Sequence, residues 1–253
     1  MISSIHTRES GIVKDVLAEL ARDGMDKKYL GGGIGVQFYL PSEFYRRTSD
    51  IDLDSSERFT SGTYHNWVVG LFKPLVDRGY SLDFSKQRST YDALLEREGQ
   101  KVILQIRRRS TKNFEDVKKR LEREFANSEI IPYAEGKMRV LNINDLIAHK
   151  ISRAEMFSRA YSLDLNSPLN MSLEDGIERA NILKENLDFS NLDPEEIAKN
   201  VAYIRLLSDV MDVKAMIRNS KIDEKYIRVA TSDLRSRESP NVDALADELL
   251  FKC

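Results

Sequence analysis

Hydrophobic residues in the first half of the chain recur at two different periods. A 3.6-residue period predicts helices over residues 12–20, 67–76 and 114–125. Gly24 and Gly79 follow the first two, where chains commonly leave a helix. Between the helices, short runs of apolar or alternating residues predict strands. These runs cover residues 50–54, 80–85, 90–95, 101–107, 130–133 and 138–141, with another strand ending at Leu30. The pattern predicts a mixed β-sheet flanked by helices.

Beyond residue 142 the strand pattern stops. Helical spacing predicts helices over residues 144–160, 173–185, 194–216 and 242–251, and Ser172 and Asp175 form a capping pair before the second of these. We therefore expect an α+β protein with two domains. A sheet domain should cover residues 1–142, and a helical domain should cover residues 143–253.

The most specific chemical signal combines a glycine run with closely spaced aspartates. Gly31-Gly32-Gly33 ends a predicted strand and opens a helix, which would leave backbone N–H groups able to meet a phosphate. Asp50 and Asp52 lie two residues apart on a predicted strand, so they share a face. Such a pair of hard oxygen ligands suits Mg²⁺ or Mn²⁺ when substrate phosphates complete the coordination. The alternative is that these are solvated turn residues.

The residues between these two motifs are cationic or carry hydroxyl groups. They are Arg46, Arg47, Thr48 and Ser49, and they form a plausible phosphate environment immediately before the acidic strand.

These segments resemble the nucleotidyltransferases of the DNA polymerase β superfamily and, within it, the AbiEii/AbiGii-type toxins. Residues 30–36 are similar to that family's apolar-x-Gly-Gly-Ser/Thr-Ala-Leu segment, and residues 47–53 to its Arg-x-Thr/Ser-x-Asp-Ile-Asp-Leu segment. Residues 146–154 resemble a helix whose lysine, here Lys150, contacts the nucleotide triphosphate. Arg159 and Asp164 loosely resemble an Arg-Asp-x-x-Asp-Leu element.

The resemblance implies a nucleotidyltransferase-like sheet domain followed by a helical domain. It also implies that Asp50, Asp52 and Lys150 act in catalysis, with Asp50 and Asp52 holding the metal. The residues expected to bind nucleotide are Gly32, Gly33, Arg47, Ser49, Lys150, Arg153 and Asp164.

Two residues depart from the family pattern. Ile34 stands where a small hydroxyl residue is usual, and Gln105 stands on the strand expected to supply a third carboxylate. Glutamine is at best a neutral ligand. Asp54, on the same strand face as the aspartate pair, or Asp83, on a neighbouring predicted strand, could substitute, and the sequence does not choose between them.

Charge is distributed unevenly along the chain. The whole sequence has a formal net charge of −2, so nothing drives nucleic-acid binding globally. Residues 101–123, however, hold nine cationic and three acidic side chains. This basic segment predicts contact with a polyanion, and Arg107, Arg108 and Arg109 are the candidate RNA contacts. The alternative is a solvated face with local ion pairs.

The single cysteine, Cys253, is the last residue and leaves no internal disulfide, which is typical of a reducing cytoplasm. The first ten residues lack a long apolar stretch, so neither a signal peptide nor a membrane span is expected there.

The sequence thus predicts a metal-dependent nucleotidyltransferase acting on an NTP. The resemblance implies an RNA acceptor, plausibly a tRNA 3′ end, in a toxin–antitoxin or phage-defence system with a possible antitoxin partner. One alternative is a nucleotide- or RNA-binding module of the same fold that lost turnover through Gln105. Another is an α+β structural protein in which the motifs are coincidental.

Overall fold

The computed structural model describes residues 6–87, 89–186, 192–234 and 240–252, so Cys253 lies outside the described residues. The chain forms two compact units. The first unit comprises residues 1–38 and 47–142, and the second comprises residues 39–46 and 143–253. Within the described ranges, no helix is both long and apolar enough to span a bilayer.

The described part of the first unit contains one seven-stranded mixed sheet, in the order β3-β4-β5-β2-β1-β7-β6. Strand β2 pairs with β5 in parallel and with β1 antiparallel, which places it near the middle of the sheet. The expected mixed sheet of an α+β fold is confirmed. The strands are β1 (Lys28–Leu30), β2 (Asp50–Ser55), β3 (Ser81–Lys86), β4 (Thr90–Arg97), β5 (Gln100–Arg107), β6 (Glu129–Tyr133) and β7 (Gly136–Val140).

Four helices accompany this sheet among the described residues. They are α1 (Gly11–Asp23), α2 (Gly32–Val36), α3 (Ser61–Val76) and α4 (Thr111–Asn127). Helix α1 ends at Gly24, whose φ of 73° is left-handed, as its sequence position predicted. The Thr60 side chain caps α3 and the Ser110 side chain caps α4.

The two faces of β2 have different environments. Ile51 and Leu53 are buried, whereas the alternating aspartates are only partly buried. Helix α3 packs on the apolar face, where Tyr64 stacks on Tyr91 of β4. Helix α4 covers one end of the acidic face, since Tyr29, which lies opposite Asp54 in the β1–β2 register, donates a hydrogen bond to Glu124. The rest of the acidic face, which carries Asp50 and Asp52, is the candidate functional surface.

The second unit is helical in its described part, apart from a short 3₁₀ turn at Ser42–Phe44. Helix α8 packs against α5 and α7, and α5 also packs against α9 and α10. Because α8 is surrounded in this way, apolar residues occupy most of its circumference from Ala202 to Met216. The helices are α5 (Ile143–Ala160), α6 (Asn166–Asn170), α7 (Leu173–Glu185), α8 (Pro194–Asn219), α9 (Glu224–Asp233) and α10 (Val242–Lys252).

Candidate active site

The aspartate pair lies at the start of β2. Asp50, Asp52 and Asp54 share one face of this strand and are each partly buried. The hydroxyl of Thr48 donates a 2.8 Å hydrogen bond to Oδ1 of Asp50, which fixes the orientation of that carboxylate. Both members of the predicted metal-binding pair therefore face the same side of the sheet.

The glycine turn lies directly against Asp52. The Gly31 N–H donates a 2.9 Å hydrogen bond to the backbone carbonyl of Asp52. Gly32 has a φ of 59°, and a Cβ at this position would overlap the Asp52 carboxylate. Glycine is therefore needed both for the left-handed backbone and for the close approach. Gly33 follows, buried in the first turn of α2. First-turn N–H groups have no partner within their own helix, so this turn brings backbone donors beside the Asp50 and Asp52 pair.

Asp54 has a different environment from the aspartate pair. Arg109 Nη1 and Nη2 donate to its two oxygens at 2.5 and 2.7 Å. Burial alone would raise the pKa of Asp54, but the hydrogen bonds and charge of Arg109 outweigh it and lower that pKa. Burial and the neighbouring carboxylates of Asp54 and Glu124 raise the pKa of Tyr29 well above its usual value. Asp54 is thus engaged in an internal ion pair, and so is Arg109, one of the expected RNA contacts.

The other residues of the basic segment near β5 remain closer to solvent. Arg107 is exposed at the end of β5, and Arg108 is partly buried and donates a 3.3 Å hydrogen bond to the Gln87 carbonyl. Their contact with RNA stays a prediction.

Asp83, the second candidate for a third carboxylate, lies on the edge strand β3. Three inter-strand steps separate β3 from β2. At about 4.8 Å a step, Asp83 lies about 14 Å from the aspartate pair. It is too distant to share a metal ion with them.

A different carboxylate, Asp92 on β4, lies in line with Asp52. The register pairs Asp52 with Gln105 and Gln105 with Asp92, so the three side chains form one row on the same face of the sheet. Asp92 is only 7% exposed. Its Oδ1 is fully buried and has no hydrogen-bond partner among the described residues. Burying a carboxylate oxygen without a partner costs free energy, which marks Asp92 as a candidate functional residue.

Sequence reasoning missed Asp92 because it considered only Asp54 and Asp83 as replacements for Gln105. Asp92 is the one acidic residue inside the apolar run Tyr91–Leu95. An acid within a predicted buried strand was the available signal.

Among the residues preceding β2, Thr48 and Arg46 have defined contacts. The backbone of Thr48 forms a reciprocal two-bond bridge with His6, and the His6 ring hydrogen-bonds the Lys101 carbonyl. Arg46 and Thr48 precede Asp50 by four and two residues, next to Arg47, which was the arginine expected to bind nucleotide.

Arg47 and Ser49 were also expected to bind nucleotide. Arg47 is exposed and Ser49 is partly buried. Their contact with nucleotide stays a prediction.

In the second unit, Lys150 is buried in a cluster of charged side chains. Its Nζ lies 3.0 Å from an oxygen of Asp209 and 2.7 Å from one of Asp212. Arg153 donates two 2.6 Å hydrogen bonds to Asp209, and Arg46 donates two 2.7 Å bonds to Asp212. The cluster links α5, α8 and the 39–46 segment, and the Lys150 ammonium group forms ion pairs with both of its carboxylates. Its contact with a nucleotide stays a prediction.

The two carboxylates of this cluster are held ionised. Burial alone would raise the pKa of Asp209, but the charges of Arg153 and Lys150 outweigh it and lower that pKa strongly. The pKa of Asp212 is also lowered, because the charges of Arg46 and Lys150 outweigh burial. The cluster therefore contains three cations and two anions.

Sequence reasoning also missed these carboxylates. Asp209 and Asp212 lie three residues apart in α8. Asp164 is exposed, and its oxygens accept the backbone N–H groups of the first residues of α6. Two acids in a long apolar stretch of helix were the available signal for a buried charge cluster.

The donor set fits a divalent metal only in part. In the described part of the chain, no group of three or more His, Cys, Asp or Glu side chains is arranged to hold a metal ion. Mg²⁺, however, is often bound by one or two carboxylates and completes its shell with water and substrate phosphates. Asp50 and Asp52, side by side next to the glycine turn, meet that requirement.

Comparison with known proteins finds a weak similarity to a solved structure. No family model and no curated protein matches the chain. A solved structure, an antigenic nucleotidyltransferase-like protein from Paracoccidioides brasiliensis, is similar at 14% sequence identity and a TM-score of 0.42. The similarity covers 84% of this chain and 95% of that one.

Proposed function

We propose that the chain is a metal-dependent nucleotidyltransferase that transfers a nucleotidyl group from an NTP to an acceptor hydroxyl. The observation that carries this proposal is the packing of the Asp50 and Asp52 pair, partly buried on one face of β2, beside the Gly32 turn. Metal ligands and backbone phosphate donors within one small region are what phosphoryl chemistry requires, because catalysis depends mainly on positioning and charge stabilisation.

Asp50 and Asp52 would hold Mg²⁺ or Mn²⁺, which supplies positive charge against the triphosphate. The N–H groups of the glycine turn orient the phosphates. The acceptor oxygen forms a bond to the α-phosphorus while the bond from that phosphorus to the bridging oxygen breaks, and pyrophosphate leaves. Lys150 and Arg153 are proposed triphosphate contacts on the strength of the sequence resemblance alone.

Asp92 is proposed as the general base that accepts the proton of the acceptor hydroxyl. It lies two strands from Asp52, about 10 Å between Cα atoms, with both side chains on the same face. In this proposal the acceptor oxygen would bind between them, over Gln105. A positioned base typically contributes about 10²–10⁴-fold to the rate.

The acceptor is proposed to be RNA, plausibly a tRNA 3′ end, and the setting a cytoplasmic toxin–antitoxin or phage-defence system. These finer assignments rest on the resemblance and on the basic segment. The second candidate function is a nucleotide- or RNA-binding module without turnover, which Gln105 favours because a neutral amide stands where a carboxylate was expected.

The test incubates the protein with Mg²⁺, each labelled NTP in turn and total RNA, and follows label on RNA and on the protein. Asp52→Asn should abolish transfer, and Asp92→Asn should lower it by about 10²–10⁴-fold with NTP affinity retained. Asp83→Asn is the matched control, since it removes the same charge from the same sheet about 14 Å away. Wild-type NTP binding without any transfer would instead support the binding module.

A further inference from the structure

A groove of about 350 Å³ opens at the far end of β2 from the aspartate pair. Its cationic lining comes from Lys27, Arg58 and Lys118, all exposed. None of the three forms an ion pair with a carboxylate among the described residues. We call this the α4 groove, because one wall is a face of α4.

The cations of the basic segment fall into two groups, those beside a carboxylate inside the protein and those that line the α4 groove. Arg109 is paired with Asp54, and Arg120 lies 3.4 Å from Glu124. Lys118, by contrast, is exposed and lines the groove. Cations already paired inside the protein contribute little to an external anion, whereas unpaired cations around a concavity attract one.

The wall of the groove also contains apolar surface. Phe114 and Phe125 line it from α4, and the Arg139 guanidinium stacks on the Phe125 ring at 4.3 Å. Phenyl rings flanked by cations suit a ligand that has both flat bases and phosphates. Glu57 and Glu122 add acceptors that can bind the amino groups of bases. A volume near 350 Å³ lies in the range of small-ligand sites and suits about one nucleotide unit.

The position of the α4 groove relates it to the proposed reaction. Ser56 and Arg58, which line the groove, directly follow β2. Ser56 is four residues beyond Asp52, or about 13 Å along an extended strand. Asp54 lies between them, and its charge is neutralised by Arg109, so it does not repel a polyanion passing over this part of the sheet.

From these observations we infer that the α4 groove binds a single-stranded stretch of the nucleic-acid acceptor. The inference rests on the proposed function for the acceptor's role, but binding in the groove can be measured without turnover. Lys27, Arg58 and Lys118 contact phosphates, and the phenylalanine wall contacts a base.

The experiment measures anisotropy of a labelled ten-nucleotide single-stranded RNA with the full chain in the Asp52→Asn background, without NTP. Three phosphate contacts predict that log K against log salt has a slope of about −2, since each contributes about 0.7 on a single strand. Arg58→Gln combined with Lys118→Gln should reduce the slope to about −0.7. The control combines Lys112→Gln with Lys119→Gln, which removes two exposed α4 charges outside the groove and should leave the slope unchanged.

Three outcomes would overturn the inference. They are absence of RNA binding, equal slope reduction in both double variants, and displacement of the RNA by inorganic phosphate as efficiently as by unlabelled strand. Failure of the proposed function would look different. The wild type would then transfer no label, but RNA binding and its salt dependence would be unchanged.

Discussion

Replacing Lys150 by methionine should destabilise the second unit strongly. The Lys150 side chain is 3% exposed, and its two partner carboxylates are 0% and 4% exposed. Lys150 is the cation that both buried carboxylates share, and Arg153, the other cation paired with Asp209, is 36% exposed. Losing Lys150 therefore removes buried positive charge from beside both acids, which should cost about 3–5 kcal/mol. We therefore expect the unfolding free energy of Lys150→Met to fall by about that amount, which is a large fraction of the about 5–15 kcal/mol typical of a domain.

Urea denaturation followed by circular dichroism measures this loss, with Lys199→Met on the exposed surface of α8 as the control. An exposed lysine should change the free energy by at most about 0.5 kcal/mol. If Lys150→Met unfolded within about 1 kcal/mol of wild type, the cluster would not carry the stabilisation assigned to it here. Any nucleotide-affinity measurement on a Lys150 variant needs this stability control.

The pH dependence of the same variant provides a second check. The folded-state pKa values of Asp209 and Asp212 are lowered, so their stabilising contribution is present above the unfolded value of about 3.9 and is lost as pH falls through the folded values. Without Lys150 the lowering should be smaller. The unfolding free energy of Lys150→Met should consequently fall less steeply than that of wild type as the pH drops below about 5.

Two further substitutions address the first unit. Gly32→Ala should cost about 1–2 kcal/mol in stability from its left-handed backbone, and it should also abolish labelled-nucleotide transfer by displacing Asp52. Gly24→Ala, at a φ of 73° with open space around it, should cost similar stability and retain transfer. Equal transfer by both variants would contradict the argument that Gly32 must approach Asp52 closely. Arg109→Gln should cost about 3 kcal/mol at pH 7 in urea denaturation. Because the pKa of Asp54 is lowered in the folded state, this difference should shrink as pH falls below about 4, and a pH-independent difference would argue against the ion pair.

Elements with a strong hydrophobic period were predictable from the sequence. Helices α1, α3, α4, α5 and α7 were confirmed, because each buries apolar residues at helical spacing, and α8 and the strands of the mixed sheet were confirmed as well. Helix α9 was not predicted. Its buried residues are only Ile227, Ala230 and Thr231, too few to produce a clear period, and α6 is a five-residue helix capped by Asp164.

The parts of the candidate site that a sequence motif marks were predictable, and the parts that only strand order brings together were less so. Asp52 and the glycine turn are near one another because β1 and β2 are consecutive strands that pair in the sheet. Asp92, in contrast, joins their face only through the lateral register of β2, β5 and β4, which no spacing along the chain encodes. The ion pair of Arg46 with Asp212 spans 166 positions and was likewise inaccessible to local patterns.

The membership of residues 39–46 in the second unit has a consequence for biosynthesis. The chain leaves the first unit after residue 38 and returns at residue 47, three positions before β2 begins. During synthesis Arg46 emerges long before Asp212, so residues 39–46 lack this ion pair until α8 has left the ribosome. A fragment ending at residue 142 would never acquire that ion pair. Residues 39–46 therefore gain their Arg46 ion pair only when nearly the whole polypeptide has been made, and expression of residues 1–142 alone should leave this segment less ordered.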